Sequence, residues 1–461
     1  MKTVFMSGIA GTGMSALAGL FRQKEFRVCG SDSQFYPPVG PMLERMGIGL
    51  FTGYSEKNIP PETDFCVIGN VICRGNPEAE YILNSGLPYC SMAEALYRYF
   101  ICGHHSIVVA GSHGKTTITS FIAHMLDMAG LAPGFFIGGK PLDFPGNSRI
   151  AGGEYFVAEG DEYDTAFFDR SSKFLKYFPR FLILTALEYD HLDIFPSEGL
   201  YLKSFQDLVD QIPANGRIIA NGDFSMAKRA LEKSHTPVVF FGRKNGDVRI
   251  DSVETRDSGF EFVLEQAGRK WAFRTRMAGR YNVWNLTAGI VLGFHLGLDP
   301  AIIGSAVESF SGVERRMTSI RTIGRTTFIE DFAHHPTAIR SVLDSLKETD
   351  PEKKIVAIFE PRSWSMRRNF FQRRIASSFA GADEVVIRDV YEKEKIPEAE
   401  RLDVHRVKDE LEAMGKKAVV FADYQQIRTY LRSLDFDEAR IVVLLSNGGF
   451  GNLAHFIRCE L

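Results

Sequence analysis

The side chains best suited to phosphoryl chemistry are a glycine-flanked lysine at a strand-to-helix turn and two acidic runs that each follow an apolar stretch. Val108-Val109-Ala110 leads into Gly111-Ser112-His113-Gly114-Lys115-Thr116-Thr117, so a short buried strand turns into a helix at Lys115. At that point the backbone N–H groups have no intrahelical partner and can hold phosphate oxygens, with the Lys115 ammonium beside them. The Thr116 hydroxyl is placed to ligate magnesium on the same phosphates. The usual phosphate loop carries a further glycine five residues before the second one, and here that position is Val109. The run Glu159 to Asp164 follows a strand expected over Tyr155–Ala158, and Glu188 to Asp193, with His191, follows one over Phe181–Thr185. Strand ends of a parallel sheet carry its ligand site, so both runs are expected to converge on the phosphate loop. A carboxylate from Glu159 and a neutral His191 imidazole there can hold magnesium and offset charge developing in phosphoryl transfer.

A second glycine turn, Gly8-Ile9-Ala10-Gly11-Thr12-Gly13-Met14, follows an N-terminal strand, and Ser31 and Asp32 end the next strand about twenty residues on. A dinucleotide, a nucleotide-diphosphate sugar or close helix packing with no ligand all satisfy this pattern. Asn282 and Asn285 lie three apart on one helix turn, where their amides can read a base edge or act as caps. Near the C-terminus, Asp331-Phe332-Ala333-His334-His335-Pro336, Glu360-Pro361-Arg362-Ser363 and Ser446-Asn447-Gly448-Gly449 each follow a strand-like run. A metal held by His334 and His335 together is not expected, because adjacent loop residues rarely point at one ion.

The elements that must position these groups are those of an α/β protein in three domains, assigned to residues 1–105, 106–312 and 313–461. Alternation from Asp247 to Met277 reads as an antiparallel excursion from the central domain, and strands at Thr326–Glu330, Ile355–Phe359, Glu384–Ile387, Ala418–Phe421 and Ile441–Leu445 build the last one. The formal net charge of -3 gives no general affinity for nucleic acid or an anionic membrane. Six scattered cysteines without a Cys-x-x-Cys pair read as buried apolar residues in a reducing compartment. No apolar run approaches membrane-spanning length, so a cytoplasmic protein is expected.

Taken in order, Gly8-x-x-Gly11-x-Gly13-Met14, the Gly111 to Thr117 loop, the Glu159 run, Asp190-His191, Asn282-x-x-Asn285, Arg315-Arg316 and Asp331-x-x-His334-His335-Pro336 resemble the Mur ligase family over essentially the whole chain. The resemblance implies an N-terminal Rossmann-like domain for a UDP-sugar, a central P-loop ATPase-like domain and a C-terminal Rossmann-like domain for the incoming amine. It implies ATP and Mg2+ as cofactors, UDP-N-acetylmuramate and a murein tripeptide as substrates, and a monomer or weak homodimer. Arg74-Gly75-Asn76-Pro77, the Glu159 run, Glu360-Pro361-Arg362-Ser363 and Ser446 to Phe450 are more similar to the peptide-adding branch than to the L-alanine-adding one. An NAD-dependent redox or nucleotide-sensing protein is the alternative of a different class, but it leaves Lys115, Glu159 and His191 unused.

Carried over residue by residue, the resemblance places Gly111, Ser112, His113, Gly114, Lys115, Thr116 and Thr117 on the ATP phosphates. Asn282 and Asn285 fall on the adenine side, Asp331 on the ribose and Arg316 on the transferring phosphoryl group. Thr116, Glu159 and His191 are its metal ligands, and Lys115, Glu159, His191 and Arg316 its catalytic set. Gly8, Gly11, Thr12, Gly13, Met14, Ser31, Asp32, Asn70, Arg74 and Asn76 are assigned to the UDP-sugar, and His334, His335, Arg362, Ser363 and Asn447 to the peptide. Tyr281 stands where the family usually has histidine, so a stacking contact with adenine is expected there.

Overall fold

The computed structural model describes the chain except for residues 37–38, 192–193 and 257–258; Leu192 and Asp193 of the second acidic run therefore lie outside the described residues. Three sheets organise the chain. The first is fully parallel, in the order Gly49–Thr52, Arg27–Asp32, Thr3–Ser7, Phe65–Ile68 and Tyr89–Ser91. Its strands Thr3–Ser7 and Phe65–Ile68 are buried throughout, which explains continuous apolar runs in place of alternation. The strand Arg27–Asp32 runs further than the sequence suggests and takes Gly30, Ser31 and Asp32 into the sheet. The segment expected as one helix over Met92–Ile101 is an α-helix to Leu96 and then a wider π-type turn, Tyr97–Ile101.

The central sheet has ten strands, and His105–Ala110 pairs in parallel with Phe181–Leu184 on one side and Tyr155–Glu159 on the other. The expected antiparallel excursion is present as Val248–Thr255, Phe260–Gln266 and Arg269–Thr275. Arg217–Asn221 and Val238–Gly242, which the sequence reading passes over, link that excursion to the parallel strands. In the third sheet, Arg440–Leu445 lies between Thr326–Asp331 and Lys354–Phe359. An edge strand, Thr318–Ile323, was not anticipated because it is polar and largely solvated; it pairs antiparallel with Thr326–Asp331.

The first two sheets run out in opposite directions from one strand, Thr3–Ser7 and His105–Ala110, and ligand crevices of such sheets open beyond that strand's C-terminal end. Gly8 follows Thr3–Ser7, Gly111 follows His105–Ala110, and Ser446 follows Arg440–Leu445. The first two domains share one apolar core, in which Leu17 and Phe21 join Phe174 and Tyr177. The third meets the second partly through polar contacts, Arg280 pairing with Glu348 and the Ser365 hydroxyl donating to Asp190 Oδ1 at 3.0 Å.

Candidate active site

Gly111 and Gly114 shape the phosphate loop, with φ of +131° and +83°. A Cβ on Gly111 would lie 2.2 Å from Thr185 Oγ1, and one on Gly114 2.4 Å from Asn285 Oδ1, so neither position has room for a side chain. The helix Lys115–Met128 begins directly behind, leaving its first amides facing a cleft of about 1000 Å³. All three domains line that cleft: Thr12 from the first, Ser112 to Ile118, Glu159 and His191 from the second, and Asp331 to His335 with Asn447 from the third.

Lys115 Nζ donates to Gly111 O and to Glu162 Oε2, both at 2.7 Å. The other oxygen of Glu162 lies 2.9 Å from His191 Nε2, so a fully buried carboxylate joins the lysine to the histidine. Burial opposes the charge on Glu162, but Lys115 and His191 outweigh it and hold the carboxyl below its usual range. The same bridge raises His191 above an ordinary imidazole, although burial pulls it down. In this structure His191 is thus tied to Glu162, while Thr116 and Glu159 pair with each other.

Thr116 Oγ1 donates to Glu159 Oε1 at 2.9 Å, and Gly138 N–H donates to Glu159 Oε2 at 2.7 Å. Burial raises the Glu159 carboxyl, and Lys115, Gly138 and Thr116 only partly offset this. Two hard oxygen donors beside a phosphate loop fit Mg2+, which prefers carboxylate, hydroxyl and phosphate oxygens. Ser112 and His113 line the cleft, and their side chains also engage Glu188. The Ser112 hydroxyl donates to Glu188 O at 2.7 Å and accepts from Glu188 N–H at 2.8 Å, while His113 Nε2 lies 3.0 Å from Glu188 Oε2.

Asn285 lines the cleft, but Asn282 is buried behind it, donating to Ala278 O and accepting from Asn285 at 2.8 Å. Asn282 is thus a support for Asn285. Tyr281 and Trp284 supply aromatic surface in the same wall. Arg316 faces the cleft over the Phe332 ring at 4.7 Å. Asp331 accepts from Met317 N–H at 2.8 Å and Ala333 N–H at 2.7 Å, and burial raises its carboxyl despite Arg316.

A smaller cavity of about 230 Å³ lies against the first glycine loop, lined by Gly8, Gly11, Thr12, Gly13, Met14 and Asn70, with Lys173 and Tyr177 opposite. It shares Thr12, Gly138, Glu159 and Asp161 with the main cleft, so the two spaces adjoin beside the Thr116 and Glu159 pair. Four residues expected at this end do not line it. Ser31 is buried and donates to Glu78 Oε2 at 2.5 Å. Asp32 accepts from Ala10 N–H at 2.9 Å and Ser33 N–H at 2.7 Å, holding the loop. Asn76 caps the helix Pro77–Ser85, and exposed Arg74 pairs with Glu80 at 3.1 Å.

In the third domain His334 and Asn447 line the cleft, and burial pushes His334 down to about 4. His335 lines the cleft as well and packs its ring 4.9 Å from that of His113. Arg362 and Ser363 are not among the lining residues. The Arg362 guanidinium lies 4.0 Å over the Tyr391 ring, 3.7 Å from buried Glu360, and Ser363 Oγ accepts from Met366 N–H. Sequence reasoning assigned no role to Glu162 or Lys173. Glu162 lies within the acidic run, but nothing in the spacing distinguishes the carboxylate that bridges Lys115 and His191.

Comparison with known proteins agrees with this architecture. Family models match in three consecutive pieces: the Mur ligase family catalytic domain at residues 3–100, the Mur ligase middle domain at 109–293, and the Mur ligase glutamate ligase domain at 315–448. The chain is 36% identical to the UDP-N-acetylmuramate–L-alanyl-γ-D-glutamyl-meso-2,6-diaminoheptandioate ligase of Escherichia coli K12, over 83% of this chain and 84% of that one. Among solved structures, a murein peptide ligase from Psychrobacter arcticus superposes with a TM-score of 0.74 at 30% identity, covering 99% and 98% of the two chains. The UDP-N-acetylmuramate–alanine ligase of Thermotoga maritima gives 0.80 at 25% identity with the same coverage. Ordered motifs, three α/β domains and matches along almost the entire chain lead to one conclusion: this protein belongs to the Mur ligase family.

Proposed function

We propose that this enzyme uses ATP to join the lactyl carboxylate of UDP-N-acetylmuramate to the amine of L-alanyl-γ-D-glutamyl-meso-diaminopimelate, releasing ADP and phosphate. The observation that carries this reading is the meeting of two cavities at Thr12, Gly138, Glu159 and Asp161. A diphosphate sugar seated on the first glycine loop can then extend its carboxylate to the phosphate loop. A carboxylate alone is a poor electrophile, because its leaving group would be oxide; phosphorylation supplies a good one. The carboxylate oxygen attacks the γ-phosphorus as ADP departs, and the peptide amine then displaces phosphate from the acyl carbon.

Charge handling is the main task of the protein in the first step. Lys115 is held toward the phosphates by Gly111 O and Glu162, and Arg316 reaches the cleft from the opposite domain. Thr116 and Glu159 would hold Mg2+, which neutralises phosphate charge when bound. His334, kept neutral by burial, and Asn447 face the amine side of the cleft without adding positive charge that would hinder an ammonium. The tripeptide is favoured over L-alanine because identity is higher to relatives named for it, 36% and 33%, than to an L-alanine ligase at 30%.

A substrate panel tests this directly. With UDP-N-acetylmuramate and ATP, phosphate release should rise with tripeptide and not with free L-alanine. Stimulation by L-alanine alone would move the enzyme to the other branch, and NAD binding without ATP turnover would overturn the reading.

A further inference from the structure

Lys173 is a buried cation that the reaction described above leaves without a task. It opens the short turn Lys173–Lys176 behind a hairpin, Asp164–Ala166 and Asp169–Ser172, which the central domain extends toward the first. Phe167 and Phe168 at the hairpin tip pack on the first domain's apolar cluster with Phe5 and Ile68, and the Phe168 ring meets that of Tyr89 at 5.1 Å. The tip is thereby anchored on one domain while the base belongs to the other. The Lys173 backbone N–H donates to Tyr163 O at 3.0 Å, which fixes where its side chain starts.

Held in this way, Lys173 is 8% exposed and lines the smaller cavity across from the first glycine loop. Among the described residues lining that cavity it is the single basic one, whereas Glu159 and Asp161 are acidic. Its Nζ donates to Asp161 Oδ2 at 2.8 Å and lies 5.6 Å from the centre of the Tyr163 ring. An ammonium has three N–H donors, so the bond to Asp161 leaves donors for an incoming oxygen. Asp161 lines both cavities, which holds the ammonium near their junction.

We propose that Lys173 recognises the carboxylate of the sugar substrate and so selects a UDP-sugar that carries one. This rests on the reading that UDP-N-acetylmuramate enters by the first glycine loop. The diphosphate then has the loop amides and the start of the helix Thr12–Gln23 on its own side. The carboxylate has to cross the junction to reach the phosphate loop, and there it meets Glu159 and Asp161. A third negative charge beside them is unfavourable unless a cation is placed there. Lys173 supplies that cation from a fixed position, its ammonium bridging Asp161 and the substrate. A neutral sugar hydroxyl at the same place gains less, because a hydrogen bond between two charged groups is the stronger one.

The test is calorimetry on the full-length protein without ATP, comparing UDP-N-acetylmuramate with UDP-N-acetylglucosamine, which has a hydroxyl in place of the lactyl ether. Wild type should prefer the carboxylate-bearing sugar. Lys173→Met should weaken UDP-N-acetylmuramate about tenfold or more and leave UDP-N-acetylglucosamine within about twofold, so that the preference collapses. Asp161 keeps 35% of its side-chain surface exposed and can be hydrated once its partner is gone. Lys173→Gln, which retains a donor for Asp161, should behave alike and carries the test if thermal melting shows that the methionine variant does not fold. An unchanged ratio of the two affinities in a folded variant, whether both sugars weaken together or neither does, overturns the proposal. Failure of the wild type to bind either sugar overturns instead the reading of the substrate on which it rests.

Discussion

The two glycine loops follow the same local plan and are equipped for different tasks. Each follows a buried strand at the point where its sheet reverses, and each opens a helix toward a cavity. In the first, the helix Thr12–Gln23 begins without an acidic or basic side chain in its first turn, and Asp32 engages the loop amide of Ala10. An anion there would be held by backbone N–H groups and the helix dipole, with Lys173 across the cavity. In the second, Lys115, Glu162 and His191 form a buried charged chain and Thr116 meets Glu159. A loop of backbone dipoles can hold a diphosphate, but moving a phosphoryl group needs full charges held in fixed positions.

Substitutions can separate the two tasks. Lys115→Ala should lower ATP-dependent phosphate release about 10³-fold or more, the scale seen for cationic groups on a transferring phosphoryl. UDP-N-acetylmuramate binding by calorimetry should persist, and loss of both would mean that the loops do not act separately. Glu162→Gln breaks a buried ion pair from one side and should cost about 3–5 kcal/mol in denaturant unfolding, with a further loss of turnover. An unchanged unfolding midpoint would remove Glu162 from its proposed role.

Acid should act mainly on the catalytic side of the molecule. His334 and His335 have folded pKa values depressed to about 4 and about 3, so the unfolded chain takes up protons first as pH falls below about 6.5. Their contribution is complete above that pH and is lost between about 6.5 and 3, by roughly 1.4 kcal/mol per pH unit per histidine. Raised His191 has the opposite sign: its share is present below the unfolded value and lost as pH rises through the folded one. Melting curves of wild type and His334→Asn across this window check the assignment, the variant showing a shallower acid slope.

On the other loop, Thr12→Ala should raise the KM for UDP-N-acetylmuramate about tenfold, a change of about 1.4 kcal/mol, with little effect on KM for ATP. An equal rise in both would show that Thr12, which lines both cavities, serves the ATP cleft as much as the sugar pocket. Asn76→Ala should have the smallest effect, about 1 kcal/mol of stability from the lost cap and no change in sugar affinity. A large affinity loss there would restore Asn76 to the ligand site.

Much of the design was legible in the chain because strands and glycine turns are local events. Continuous apolar runs located the buried parallel strands, and alternation located Val248–Thr255 through Arg269–Thr275. The edge strand Thr318–Ile323 escaped because its stability comes from pairing with Thr326–Asp331 and not from its own pattern. The expected ligands Ser31 and Asn76 illustrate a different limit. Residue type marks a side chain as able to bind, but a hydroxyl or amide can be used as readily by a neighbouring carboxylate or a helix end.

By itself the sequence determined the three-domain α/β order, the two glycine loops and Lys115 at the head of a helix, since each depends on residues within a few positions of one another. Only tertiary structure decided that Glu162, and not Glu159, joins Lys115 to His191, and that neighbouring His334 and His335 face different partners. The physical reason is direction. Adjacent side chains in a loop diverge by amounts set by φ and ψ, and which one meets a charge across the cleft is fixed only when separate sheets dock.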